Sequence, residues 1–384
     1  MIKIVTVIGA RPQIIKAAAL SRAVKNHFSD QIEEVIIHTG QHYDANMSQV
    51  FFDELQVPLE NYNLNVGSGS HAAQTAKMLT GIEDILKIEK PDTLLVYGDT
   101  NSTLAGAIAA SKIHIPVVHV EAGLRSFNKK MPEEINRITC DHCSTLLFSP
   151  TKAGYDNLVR EGFPVNNNPP FNLDHPKIYH CGDVMYDNSL YFEQIAKSKS
   201  RIASRLKIAD DEFVLVTVHR AENTDDKNNL NNLFASFDEL SKEQKIKFVI
   251  PLHPRTRKLM ETLMDKTILD SVKTNKLIKI IEPVSFLDMI ALEASAILVA
   301  TDSGGVQKEA YFFKKPCIIL REQTEWTELV ECGAAKLTGA DQSKIKDAYH
   351  HFTDNKSALY FPQLFGDGKA AEFICKTMIE CFSK

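Results

Sequence analysis

The chain has 384 residues, 44% of them hydrophobic and 24% charged, with a formal net charge of −5. That length exceeds one ordinary core and points to roughly two domains, and the mildly acidic balance gives no sign of a nucleic-acid surface. No apolar run approaches the roughly 18 to 20 residues of a membrane span, so neither a membrane nor a nucleic acid is expected as a partner.

The opening MIKIVTVIGARP runs from one lysine through an apolar stretch into a Gly-Ala-Arg-Pro turn. It reads as a first strand and not as a leader, and a cytoplasmic protein is expected. Strand-length apolar runs then alternate with stretches of helical period. Strands are expected at 2–8, 34–39, 93–97, 116–120 and 145–148, and helices at 12–28, 46–55, 72–88, 102–113, 132–143 and 152–161. The stretch 163–176, FPVNNNPPFNLDHP, is too rich in Pro and Asn for either element and is expected to be a loop at a domain boundary. Alternation resumes with strands at 177–181, 213–218, 247–252, 277–281, 296–300 and 317–320. The matching helices are expected at 185–196, 228–240, 255–264, 286–294, 306–314 and 325–330, and a last helix at 370–381. Strands apolar on both faces imply parallel sheets covered by helices, hence two α/β domains facing a central cleft, a favoured place for a small-molecule site.

The stretch HVEAGLRSFNKKMPEEINR carries the densest chemistry. Glu121 ends a predicted strand, and Pro132, Glu133 and Glu134 open a helix whose dipole favours acids there. Glu133 and Arg137 also stand four apart, the spacing of a plain ion pair on a helix face. Asp99, in YGDTNS after the preceding strand, can be a simple turn residue or can join Glu121 and Glu133 in a carboxylate cluster able to supply both an acid and a base. At Gly9-Ala10-Arg11-Pro12 the backbone amides and Arg11 can face an anion. This turn is not GxGxxG and no ribose-binding acid follows clearly, which disfavours NAD.

In the second half, His219 and Arg220 end one predicted strand, and His253-Pro254-Arg255 ends the next. Ser303, Gly304 and Gly305 then open a helix in DSGGVQKE, which suits a diphosphate, and Glu309 lies a turn further on, where it can accept from ribose hydroxyls. Gln41 and His42 follow the second strand and either contact ligand or cap the next helix. The seven cysteines have no regular spacing, and Cys140 and Cys143 form the one CxxC. It falls inside a predicted helix, where packing is a better reading than a metal or redox role.

Taken together, GARPQIIKAA, TGQHYD, GDTNSTLAGA, HVEAGLRS, MPEEINR, VTVHRAEN, DSGGVQKEA and REQTEW resemble, in order and across nearly the whole chain, the non-hydrolysing UDP-N-acetylglucosamine 2-epimerases. The resemblance implies a GT-B type fold: a Rossmann-like domain over 1–172 with the carboxylates, a second over 173–366 binding UDP, and a helix at 367–384 returning to the first. It implies a UDP-sugar substrate, no cofactor, no metal and a homodimer. The implied reaction expels UDP from C1 to give a 2-acetamidoglucal and re-adds it with inversion at C2, in the making of surface polysaccharide precursors. By motif, Asp99, Glu121, Glu133 and His219 would be catalytic. Arg11, Lys16, Arg220, His253, Ser303, Gly304, Gly305 and Glu309 would bind the UDP-sugar. Gln41 and His42 would belong to a regulatory UDP-GlcNAc site.

The chain departs from many family members in Gln13, where they have Glu, in His253-Pro254-Arg255, and in Thr324-Glu325-Trp326-Thr327-Glu328, where they have Thr-Glu-Arg-Pro-Glu. These variants are similar to a branch acting on UDP-2,3-diacetamido-2,3-dideoxy-glucuronate, for whose carboxylate Lys16, Lys129, Lys130 or Arg255 can supply a cation. A glycosyltransferase and a catalytically idle UDP-sugar-binding protein are the readings from other classes. The first leaves the three acids without a task; the second predicts binding without exchange at C2.

Overall fold

The computed structural model describes residues 1–40 and 59–383, so the helix expected at 46–55 and the candidates Gln41 and His42 lie outside the described residues. The chain divides into two compact units, Met1–Asn188 with Gln363–Lys384, and Ser189–Pro362.

The first unit is built on a seven-stranded parallel sheet in the order β3-β2-β1-β4-β5-β6-β7. Its strands are β1 (Ile2–Ile8), β2 (Ile32–His38), β3 (Tyr62–Asn63), β4 (Thr93–Tyr97), β5 (Val117–Val120), β6 (Leu146–Ser149) and β7 (Lys177–His180). Each of the central strands is buried on both faces, as an apolar run without alternation requires. Val5, Val7, Val35, Ile37, Leu94 and Val96 pack with Met78, Ile82 and Leu86 of the helix His71–Glu89 and the alanines of the helix Asn101–Lys112. The chain leaves β1 for β2 on one side and resumes at β4 on the other, so the turns after β1 and β4 open side by side. Ligands of open parallel sheets sit at such a reversal.

The second unit carries a six-stranded parallel sheet in the order β10-β9-β8-β11-β12-β13. The strands are β8 (Phe213–Thr217), β9 (Lys247–Pro251), β10 (Ile278–Ile281), β11 (Leu298–Thr301), β12 (Cys317–Ile319) and β13 (Ala335–Leu337), with the reversal between β8 and β11.

Two expectations need correction. Residues 177–181 do not open the second sheet: β7 pairs with β6 from Leu146 and Lys177 to Ser149 and His180. The Pro- and Asn-rich loop is a crossover within the first unit, tied down by Lys177 Nζ, which donates to the carbonyls of Val165 (2.9 Å) and Asn167 (3.0 Å). The division falls instead after Asn188, within the helix Val184–Lys199. Elements not expected, among the described residues, include β3, β13, and the helices Ile202–Leu206, Ala221–Thr224, Lys266–Thr274 and Gln342–Asp354.

The last helix, Ala370–Phe382, packs in the first unit, where Phe373 meets Phe148 and Tyr179 edge-on at 6.3 and 5.7 Å. Asp187 caps its start, accepting from the amides of Ala370 (3.2 Å) and Ala371 (2.8 Å). Burial outweighs these bonds and pushes the Asp187 carboxyl up to about 6. A carboxyl raised on folding stabilises the fold most below its unfolded value and progressively less as pH climbs through the folded one. Stability is therefore expected to fall by at most about 3 kcal/mol from this source between about pH 4 and 7, and thermal melts of Asp187→Asn over that range should lose this component.

Candidate active site

The reversal in the first sheet is held together by one neutral side chain. Gln13 Oε1 accepts from the amides of Gly9 (2.9 Å) and Ala10 (3.1 Å), and its Nε2 donates to the Tyr97 carbonyl (3.1 Å) and Thr103 Oγ1 (2.9 Å). This joins the turns after β1 and β4 and overturns part of the anion expectation, because the amides of Gly9 and Ala10 are turned inward onto Gln13. Arg11 remains exposed at the helix start.

Above this floor stand the carboxylates. Glu121, at the end of β5 with φ of 73°, meets Lys16 Nζ at 2.7 Å. Asp99, after β4, meets Arg137 Nη2 at 2.5 Å, and its carbonyl accepts from Asn136 Nδ2 at 2.8 Å. Burial raises the Asp99 carboxyl above its ordinary value; Arg137 and Lys16 oppose this and Glu121 adds to it. Two carboxylates from adjacent strands, each beside a cation from a helix, thus share one electrostatic neighbourhood, an arrangement that can hold one acid protonated and the other ionised.

The two glutamates at the start of the helix Pro132–His142 have opposite surroundings. Glu134 is buried: Oε2 accepts from the Ser126 amide (2.9 Å), the Ser126 hydroxyl (3.0 Å) and Arg137 Nη1 (3.0 Å), and Oε1 from the Phe127 amide (2.8 Å). Although burial works against its charge, the Ser126 amide and Arg137 hold its carboxyl below the ordinary value. Glu133 is exposed on the same turn. The expected spacing of four is therefore replaced by one of three, with Arg137 pairing to Glu134 and Asp99 and not to Glu133. The contacts form two pairs, Asp99 with Arg137 and Glu121 with Lys16, and Glu133 belongs to neither.

In the second unit the organising residue is Asp302, fully buried at the end of β11. It accepts from the amides of His219 (3.1 Å) and Arg220 (3.0 Å) and from Asn223 Nδ2 (3.1 Å), and its Oδ1 lies 3.1 Å from His219 Nδ1. Burial opposes its charge, but His219, the Arg220 amide and Asn223 hold it below the ordinary value. With Nδ1 donating to Asp302, the half-exposed His219 ring presents Nε2 as its working nitrogen. Asp302 stood in the DSGG motif without a role; an acid between a buried strand and a Gly-Gly helix start was the available signal.

Ser303 caps the helix Gly304–Phe312, and a Cβ at Gly305 would make only an ordinary contact, 3.9 Å from Ser303 Oγ. At Gly304 the Glu325 side chain comes close: a Cβ there would lie 2.1 Å from Glu325 Oε1, and Glu325 Oε2 is held by Arg321 at 2.8 Å. The departure at Trp326 has a physical reason, since Lys308 Nζ lies 4.2 Å over its ring, a place where an arginine would set two cations together. Glu309 faces Glu293, which is fully buried on the helix Phe286–Ser295; burial and then the Glu309 charge push the Glu293 carboxyl well above its ordinary value. His253 caps the helix Pro254–Leu263, its Nδ1 accepting from the Arg255 amide at 3.2 Å, and Arg255 pairs with Asp225 at 2.5 Å. Among the described residues no three His, Cys, Asp or Glu side chains are grouped to hold a metal, and no helix is long and apolar enough to cross a membrane.

Two parallel α/β units, each with polar side chains gathered at the carboxyl ends of its strands around the sheet reversal, define a GT-B type protein. A solved UDP-GlcNAc 2-epimerase from Methanocaldococcus jannaschii, in complex with UDP-GlcNAc and UDP, aligns with a TM-score of 0.82 and 42% identity over 98% of this chain and 99% of its own. The family model described as UDP-N-acetylglucosamine 2-epimerase matches residues 24–379. The chain belongs to that family and is accordingly an enzyme of the isomerase class. A UDP-N-acetylglucosamine 2-epimerase homolog from Methanococcus maripaludis is 48% identical over 377 residues, covering 98% of this chain and 99% of the relative. The UDP-2,3-diacetamido-2,3-dideoxy-D-glucuronate 2-epimerase of Pseudomonas aeruginosa is 47% identical over 378 residues, covering 97% and 99%.

Proposed function

We propose that the chain interconverts UDP-GlcNAc and UDP-ManNAc by elimination and re-addition of UDP, supplying surface polysaccharide synthesis, and works as a homodimer. The observation that carries this reading is the pair of carboxylates at the ends of β4 and β5, Asp99 raised by burial and Glu121 held by Lys16. The C2 proton of an N-acetylhexosamine is not next to a carbonyl, so it becomes acidic only as the C1–O bond to UDP breaks. One carboxylate takes that proton, the C2–H electrons form the C1=C2 bond, and UDP departs with the C1–O pair. In the return step the second acid delivers a proton to the opposite face of C2 while a UDP oxygen closes on C1. His219 Nε2 and the helix start at Ser303 and Gly305 hold the diphosphate, with Arg11, Arg220 and His253 as further UDP-sugar contacts, and Glu309 holds the ribose. Glu133, exposed on its helix turn, enters this scheme as a group that meets the sugar itself.

Product NMR in D2O decides the reading. Deuterium at C2 of both UDP-sugars, with no free sugar released, is the expected result, and absence of exchange from every UDP-sugar offered sinks it. Sedimentation velocity tests the dimer. Removing the cation beside Glu121 raises a carboxyl's pKa, so Lys16→Met is expected to move the acid limb of the kcat/KM profile to higher pH, measured with the same substrate.

A second reading has its own support: UDP-2,3-diacetamido-2,3-dideoxy-glucuronate as the sugar, by the same chemistry. The Pseudomonas aeruginosa relative at 47% identity is named as a 2-epimerase of that sugar. Of the four cations that can meet a uronate, Lys16 and Arg255 are engaged by Glu121 and Asp225, while Lys129 and Lys130 are exposed in the loop that Glu134 ties down. Turnover of the uronate with UDP-GlcNAc inert would select this reading.

A further inference from the structure

Beneath the two carboxylates lies a set of buried charges that the reaction does not use. His119 on β5 is fully buried, with Nε2 2.8 Å from the Gly98 carbonyl oxygen and Nδ1 2.7 Å from Asp141 Oδ1. A carbonyl oxygen only accepts, so Nε2 carries a hydrogen. Asp141, also fully buried, accepts at Oδ2 from the Gly123 amide at 3.1 Å and lies 2.7 Å from Arg125 Nη2, so it is an ionised carboxylate. A ring nitrogen 2.7 Å from such an oxygen must donate as well, which makes His119 an imidazolium. Burial works against that charge, and the groups facing the ring, Cys140 and Asp141 of the helix Pro132–His142, nonetheless hold its pKa well above the ordinary value. Beyond Asp141, Arg125 continues to Glu161 at 2.6 and 2.7 Å and to the Leu124 carbonyl at 2.8 Å.

The anchor points of this network are the peptides flanking the chemistry. Gly98 directly precedes Asp99, and Gly123 stands two residues after Glu121. A Cβ at Gly98 would lie 3.0 Å from Lys16 Nζ and 3.4 Å from Glu121 Oε1, so the carbonyl held by His119 belongs to the residue lying against that ion pair. A buried charge pair is seldom more stable than a well-packed apolar one of the same volume, so its presence here needs a reason other than stability. We propose that His119 and Asp141 are positioning residues, clamping the turn that carries Asp99 to the turn that carries Glu121 so that the two carboxylates keep the separation the proton transfers require. This rests on the epimerase reading of those two acids.

The test uses the full-length protein and two variants. In Asp141→Asn the side-chain oxygen still accepts from Gly123 and Arg125, while the amide NH2 faces a ring that is now neutral and still donates to Gly98. His119→Gln keeps only the donor to Gly98. Each is measured for kcat and KM, UDP affinity by calorimetry, thermal melting, and ring nitrogen-15 NMR. A loss of about 100-fold in kcat, with KM and UDP affinity within about threefold and a cooperative melt, supports the clamp. Wild-type kcat in both folded variants overturns it, as does a loss explained wholly by the unfolded fraction. If the wild-type protein turns over no UDP-sugar, the epimerase reading fails on that ground and the clamp is judged by NMR alone. A His119 ring doubly protonated well above the ordinary histidine range, and neutral under the same conditions in Asp141→Asn, supports it; a wild-type ring titrating within or below that range overturns it.

Discussion

Glu121→Gln is expected to lower kcat by about three orders of magnitude while UDP binds as before. The substitution is nearly isosteric, and the amide oxygen still accepts from Lys16, so the ion pair of 2.7 Å becomes a plain hydrogen bond and the turn keeps its shape. What is lost is a group that can take or give a proton beside Asp99. UDP affinity is read by calorimetry and turnover by C2 exchange. An idle binding protein would show the same ligand affinity in both forms and no exchange in either. Retention of more than about a tenth of the wild-type rate would remove Glu121 from the chemistry.

Gly123→Ala should be among the most damaging single substitutions for the fold. Gly123 has φ of 81°, and an added Cβ would lie 2.2 Å from the Gly154 carbonyl oxygen and 2.8 Å from its carbon. Both are backbone atoms, so nothing can rotate away, and the amide of this same residue donates to Asp141. A loss of about 3 kcal/mol or more is expected, or more than about 6 °C in Tm. Gly162→Ala is the matched control: φ is 93° but no atom lies within 4 Å, so only the backbone penalty of about 1 kcal/mol applies. Equal melting shifts in the two variants would show that the close approach carries no weight.

The alternation of strands and helices was readable because each parallel strand is buried on both faces and leaves an uninterrupted apolar run. Thr93–Tyr97 and Ile2–Ile8 have the expected limits. What escaped were elements too short to build a run, such as the three residues of β13, and two helices that did leave a signal: Ile268, Leu269 and Val272 mark one face of Lys266–Thr274. In the helix Gln342–Asp354, Ile345, Ala348, Tyr349 and Phe352 repeat at helical spacing behind the cap Asp341. The boundary at 163–176 was misread because prolines and asparagines mark a loop wherever it occurs, within a unit or between two.

Legibility of the site follows the same division. Asp99 and Glu121 could be found because both end strands, and position at a strand end is a property of sequence. Their cations could not be paired in this way: Lys16 comes from 105 positions away and Arg137 from 38. Glu133 and Glu134 are adjacent and of one type, and only the path of residues 126 and 127 back over the helix start buries one and exposes the other. His119 looks like a polar interruption of a strand until Asp141 is seen beneath it.

Gln13 has a consequence for how this corner responds to acid. Its amide offers two acceptor sites to backbone N–H groups and two hydrogens to oxygens, and all four are used without a charge. A glutamate in the same place could donate to the Tyr97 carbonyl or to Thr103 only while it held a proton. The joint between the first and fourth strands would then loosen or tighten with pH. With glutamine there, the joint itself is blind to acidity, and the turns after the first and fourth strands stay tied together whatever the protonation of the carboxylates above them.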